Sequence, residues 1–83
     1  MKPLTQYGLM AVRHWREFRP RMFAELRRKG LLCDMLQDAE ERTAREVDDL
    51  RRHFQEQGLT PQQAQDRAWK IVRERYILLP PET

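Results

Sequence analysis

The chain has no serine, a single cysteine at position 33, three glycines among 83 residues, and no apolar run that approaches the length of a secretion signal or membrane span. Each scarcity excludes something. Without serine, a glycine-rich phosphate loop or a second group placed as a base, nucleophilic catalysis lacks its parts, and the sequence predicts no enzyme and no cofactor. A lone cysteine forbids an intramolecular disulfide framework and fits a reducing compartment, so a soluble cytoplasmic protein is expected. Cys33 is expected near the start of a helix, where the macrodipole would lower a thiol pKa, although a small buried hydrophobe is its commoner role. Only His14 and His53 could supply imidazole ligands, and no HExxH or second cysteine accompanies them, so no metal site is expected. Asp49 and His53, four residues apart, read as a solvated pair. Asp34, Asp38 and Glu41 read as rungs of an ion-pair ladder with Arg42 and Arg45.

What is present is charge, unevenly distributed. The formal net charge is +3, yet residues 1–30 carry a balance of +6, residues 31–60 of −4 and the remainder of +1. A domain this small buries only about 60% of its unfolded surface, so its core must be thin. The segment "HWREFRPRMFAELRRKG", from His14 to Gly30, interleaves Trp15, Phe18 and Phe23 with six arginines and lysines. Such a stretch is either a surface for a polyanion or the basic wrapping of a helical core facing the acidic middle third.

Hydrophobic spacing predicts an all-α fold with four helices, at 6–18, 20–29, 31–57 and 61–78, the third being longest, in a single domain over residues 1–83. Thr5 is placed to cap the first. Tyr7, Met10, Ala11, His14, Trp15 and Phe18 recur at helical intervals. Pro20 forces Arg19 out of helical geometry and can start the second helix, while Gly30 suits a left-handed C-cap. Leu36, Ala39, Thr43, Val47, Leu50 and Phe54 form a seam on the third helix, whose eleven-residue repeat predicts a nearly straight rod. Thr60, Pro61 and Gln63 make a capping box for the fourth helix, and "YILLPP" reads as its end and an extended apolar tail over 79–83. The expected core is Trp15, Phe18, Phe23, Leu26, Leu36, Val47, Leu50, Phe54, Ala68, Ile71 and Val72. A thin core beside a long helix also suggests a homodimer through the third or fourth helix and the tail.

The pattern "LTQYGLMAVRHWREFRPRMFAELRRKGLL", with Tyr7, Gly8, Arg19, Pro20, Gly30 and Leu31, resembles the TnpV family of small transposon-encoded proteins, and "AWKIVRERYILL" resembles that family's closing helix. The resemblance implies residence on a mobile element and a compact helical fold. It brings no catalytic residues. Within that frame Gly8 is anomalous, since glycine inside a helix costs about 1 kcal/mol relative to alanine. Either the backbone there packs closely under Trp69 or Tyr76, or the helix starts after it.

Two functional expectations follow. The first is an accessory protein that binds nucleic acid, DNA or RNA, or a nucleoprotein complex through Arg13, Arg16, Arg19, Arg21, Arg27, Arg28 and Lys29. The alternative is a protein-binding regulator or inhibitor of a nucleoprotein machine, of anti-CRISPR type for example, that does not contact nucleic acid. On either reading Trp15 and Phe18 are expected to hold the fold while the arginines make the contacts.

Overall fold

A computed structural model describes residues 3–82 and contains four helices, α1 (Gln6–Phe18), α2 (Pro20–Lys29), α3 (Leu32–Glu56) and α4 (Pro61–Tyr76), with no strand among the described residues. The fold is all-α, and the third helix is the longest, as expected. Leu31 and Gln57 prove to be the caps of α3 and not its first and last turns, and α4 stops two residues short of position 78. The local signals act as their chemistry requires. Arg19 leaves helical geometry (φ −131°, ψ 54°) ahead of Pro20. Gly30 takes the left-handed conformation (φ 72°) that closes α2. The Thr60 hydroxyl accepts from Gln63 N–H at 3.2 Å while the Gln63 side chain accepts from Thr60 N–H at 3.1 Å.

α3 is the spine. α4 returns antiparallel along it, burying Ala68 and Val72 against Val47 with Ala64 also covered, and α1 crosses its N-terminal half. Six of the eleven expected core residues are buried, namely Trp15, Phe23, Leu36, Val47, Ala68 and Val72. Leu26, Leu50 and Phe54 are half-buried, and Phe18 and Ile71 are each 39% exposed. The reason is shape. The Cα trace measures 46 × 31 × 14 Å with a radius of gyration of 14.2 Å, against about 12 Å for a compact chain of this length, so the flanks of each apolar stripe face solvent. Small residues fill the closest contacts, with Ala11, Thr43, Ala64 and Ala68 all at 0% exposure. Cys33, in the first turn of α3, is exposed and not the small buried hydrophobe that is the commoner role of a free cysteine.

Gly8 lies buried inside α1, and its close neighbour is neither Trp69 nor Tyr76. A Cβ there would collide with the Glu40 carboxylate and come within 2.9 Å of Leu4 Cδ2. Glu40, 92% covered on α3, uses that space to accept from both the N–H and the hydroxyl of Thr5, each at 2.8 Å. Thr5 thus occupies the N-cap position but spends its side chain on α3 and not on its own helix. Glu40→Ala leaves both donors without this acceptor, and the cost is expected to be about 1–2 kcal/mol. For a domain of this size that is roughly a 5–15 °C fall in melting temperature by circular dichroism.

A second polar tie joins α3 to α4. Arg75 lies 2.7 Å from Glu46, and the Tyr76 hydroxyl reaches the same carboxylate. The hydrogen bond from Tyr76, then those of Arg75, hold Glu46 below the usual carboxylate range, while Glu46 pushes the Tyr76 phenol up. A lowered carboxyl stabilises the fold above its unfolded pKa, and that contribution is lost as pH falls through the folded value.

The C-terminal segment is extended over residues 79–82, as expected, and it docks on α1 and α2 of its own chain. Ile77 is fully buried, and residues 77–82 fold back over α1 and the bend at Pro20. Trp15 Nε1 donates to Ile77 O at 3.0 Å, His14 Nε2 to Leu79 O at 2.7 Å and the Arg19 guanidinium to Pro80 O at 3.1 Å. Glu82 closes the strap by donating its N–H to Phe18 O at 2.9 Å and accepting from Arg21 N–H at 2.8 Å. Its carboxylate thereby caps the start of α2, which has no side-chain cap of its own at Arg19. Thr83 lies outside the described residues.

Candidate nucleic-acid interface

The seven expected contact residues separate into distinct roles. Arg13 and Arg16 project from α1, and Arg21, Arg27, Arg28 and Lys29 from α2, all exposed. Arg19, at the bend, is half-buried and acts as a strut, with one guanidinium nitrogen on Pro80 O and the other 3.9 Å from Met22 Sδ. It is not a free contact residue. Arg16 reaches across the bend, its guanidinium carbon 5.4 Å from the centre of the Phe23 ring, a cation–π contact that leaves the charge facing water.

On α2, Phe23, Met22 and Leu26 turn inward, which places Arg21, Ala24 and Arg28 on the opposite face. Together with Glu25 they line a shallow hollow of about 340 Å³. Glu25 also lies 3.5 Å from Arg28 and 3.1 Å from Lys29, but all three side chains are more than half exposed, so these pairs contribute little and yield easily to a competing anion. The last turn of α2 carries Arg27, Arg28 and Lys29 against the negative end of its own dipole, which keeps three cations together at one helix end.

Whether the acidic third of the chain neutralises this arm is decided by where the ion pairs fall. On α3, Asp38 pairs with Arg42 at 2.9 Å, Asp48 with Arg51 and Arg52, and Asp49 with Arg52 at 2.9 Å. Asp49 therefore partners Arg52 and not His53, whose Nε2 accepts from the Gln57 amide at 3.2 Å. Among the described residues no ion pair joins a cation of α1 or α2 to an acid of α3, because α3 supplies its own arginines one turn away. The basic arm is left for solvent.

The residues that sequence reasoning missed are Glu40, Ile77 and Glu82. A signal existed for Ile77: two ring N–H groups, of His14 and Trp15, lie on an apolar stripe and need acceptors when covered. No cluster of three or more metal-ligating side chains forms among the described residues, and no helix there is long and apolar enough to cross a membrane. Compared with protein-family models, curated proteins and solved structures, the chain matches none.

Proposed function

We propose that the protein is a non-enzymatic accessory factor that binds the phosphate backbone of nucleic acid, free or within a nucleoprotein complex, through its basic N-terminal arm. The observation that supports this most is the separation of charge: Arg13, Arg16, Arg21, Arg27 and Arg28 stand exposed, while Asp38, Asp48 and Asp49 of α3 pair within their own helix and Glu46 pairs with α4. Cations clustered on an exposed face without a fixed internal partner gain by displacing counterions from a polyanion. The resemblance to TnpV proteins supports a role on a mobile element.

Binding to a labelled DNA duplex is expected to weaken linearly in log Kd against log salt, with a slope of about 0.9 for each phosphate neutralised. Replacing Arg13, Arg16, Arg27 and Arg28 together by glutamine is expected to flatten that slope by about 3.6, one phosphate for each arginine, and to weaken binding at least tenfold at moderate salt. Fluorescence anisotropy across a salt series checks both. Indifference of the wild type to naked nucleic acid, together with a stable complex with a protein, would instead favour the regulator or inhibitor reading.

A further inference from the structure

We infer that Phe18 is a stacking platform for an unpaired nucleobase, with Arg13 and Arg21 holding phosphates on either side, so that the basic arm grips single-stranded nucleic acid. This deepens the nucleic-acid reading above and rests on it. Phe18 falls on the apolar stripe of α1, and its neighbour Trp15 is 3% exposed, yet Phe18 itself is 39% exposed. It is the aromatic of the basic stretch that the core leaves out. Its backbone is anchored where its carbonyl accepts from Glu82 N–H at 2.9 Å, and the His14 ring lies tilted against the Phe18 ring with centroids 4.6 Å apart. His14 is itself fixed by its bond to Leu79 O.

Two shallow hollows meet at this ring. One, of about 220 Å³, is lined by Arg13, His14, Glu17 and Phe18 among others, and the second, of about 320 Å³, by Glu17, Phe18, Pro20, Arg21 and Glu82 among others. The two hollows share Glu17 and Phe18, and each also holds one exposed arginine, Arg13 in the first and Arg21 in the second. Aromatic faces take any base, and cations beside them take the backbone, which is the combination that single-strand binders use. The Glu17 and Glu82 carboxylates repel phosphate from the middle of the site and offer acceptors to base amino groups. A duplex fits poorly, because its bases are stacked on one another and present only edges. Further along α1 a third hollow, sharing Met10 with the first, is flanked by the stacked Tyr7 and Trp69 rings, 5.3 Å apart. Tyr7 and Phe18 are about 16 Å apart along the helix, so a strand lying on α1 meets aromatic surface at both ends.

The test compares labelled oligothymidylate, oligouridylate and a duplex of equal length at one salt concentration. At least one single strand is expected to bind the wild type about five- to 150-fold more tightly than the duplex, the range that one base–aromatic stack spans. Phe18→Leu, which keeps an apolar side chain, is expected to abolish that preference, Phe18→Trp to retain it, and Ile71→Ala, an equally exposed apolar site on α4, to leave it unchanged. Photo-crosslinking of a thiouridine-containing strand to the wild type, mapped by mass spectrometry, is expected to mark the peptide holding Phe18 and keeps the test valid if a variant misfolds. Salt-sensitive binding with no single-strand preference, a preference that survives Phe18→Leu, or crosslinks confined to other segments would overturn this inference and leave the backbone-binding reading standing. Failure of every nucleic acid to bind would remove both.

Discussion

Trp15→Ala is expected to lower stability by about 3–5 kcal/mol, as truncation of large buried aromatics does. A chain of 83 residues has in all roughly 4–12 kcal/mol to lose, so the variant should be largely or wholly unfolded in modest urea. The size of the effect comes from two functions in one side chain. The ring fills the α1–α3 contact beside Ala11, Phe23, Leu36, Ala39 and Ile77, and its Nε1 donates to the Ile77 carbonyl. Trp15→Phe separates them, since it keeps most of the packing and removes the bond, and it is expected to cost about 1–3 kcal/mol. Urea titrations followed by circular dichroism measure both. A midpoint for Trp15→Ala close to wild type would mean that the indole is not the centre of this core.

Elements governed by local chemistry were readable from the residues alone. Pro20, Gly30 and the Thr60–Gln63 box act through neighbours within a few positions, so the helices fall within two residues of where spacing and caps predict them. Burial was less readable. Phe18 and Trp15 lie one turn apart on the same stripe, and periodicity treats them alike; only the thinness of the slab and the path of the strap decide that one is covered and the other is not. The same limit applies to Ile71, which sits at the edge of the α4 stripe where a thicker bundle would have supplied another helix.

The candidate interface shows a similar division. The surplus of arginine was plain, and six of the seven expected residues are exposed. That Arg19 is a strut was not, because its partner is a backbone carbonyl 61 positions away. Spacing did point to an ion-pair ladder on α3, of which the Asp38–Arg42 rung forms, but it missed the rungs that Asp48 and Asp49 make with Arg51 and Arg52. A local pattern shows that the His14 and Trp15 rings need acceptors, but not which carbonyls, more than 60 residues away, supply them. Such long-range pairs hold the C-terminal strap in place. They are also the contacts by which the C-terminal strap shapes the walls around Phe18.

Ile77→Ala provides the strongest check on that strap. Ile77 has no exposed surface, and removing its outer methyl groups is expected to cost about 2–4 kcal/mol, within the range for buried aliphatic truncations. Its side chain and its carbonyl act on the same tryptophan, so the loss should couple to that of Trp15. The double variant Trp15→Phe/Ile77→Ala is expected to lose less than the sum of the single variants, by roughly 0.5–3 kcal/mol, the coupling usual for residues in contact. A free tail predicts the opposite pattern: a small effect of Ile77→Ala, simple additivity, and rapid amide exchange from position 77 onward. With the strap docked, the Glu82 N–H, bonded to Phe18 O, should exchange slowly in wild type and rapidly in Ile77→Ala, linking burial of one isoleucine to the fixed position of the exposed ring on α1.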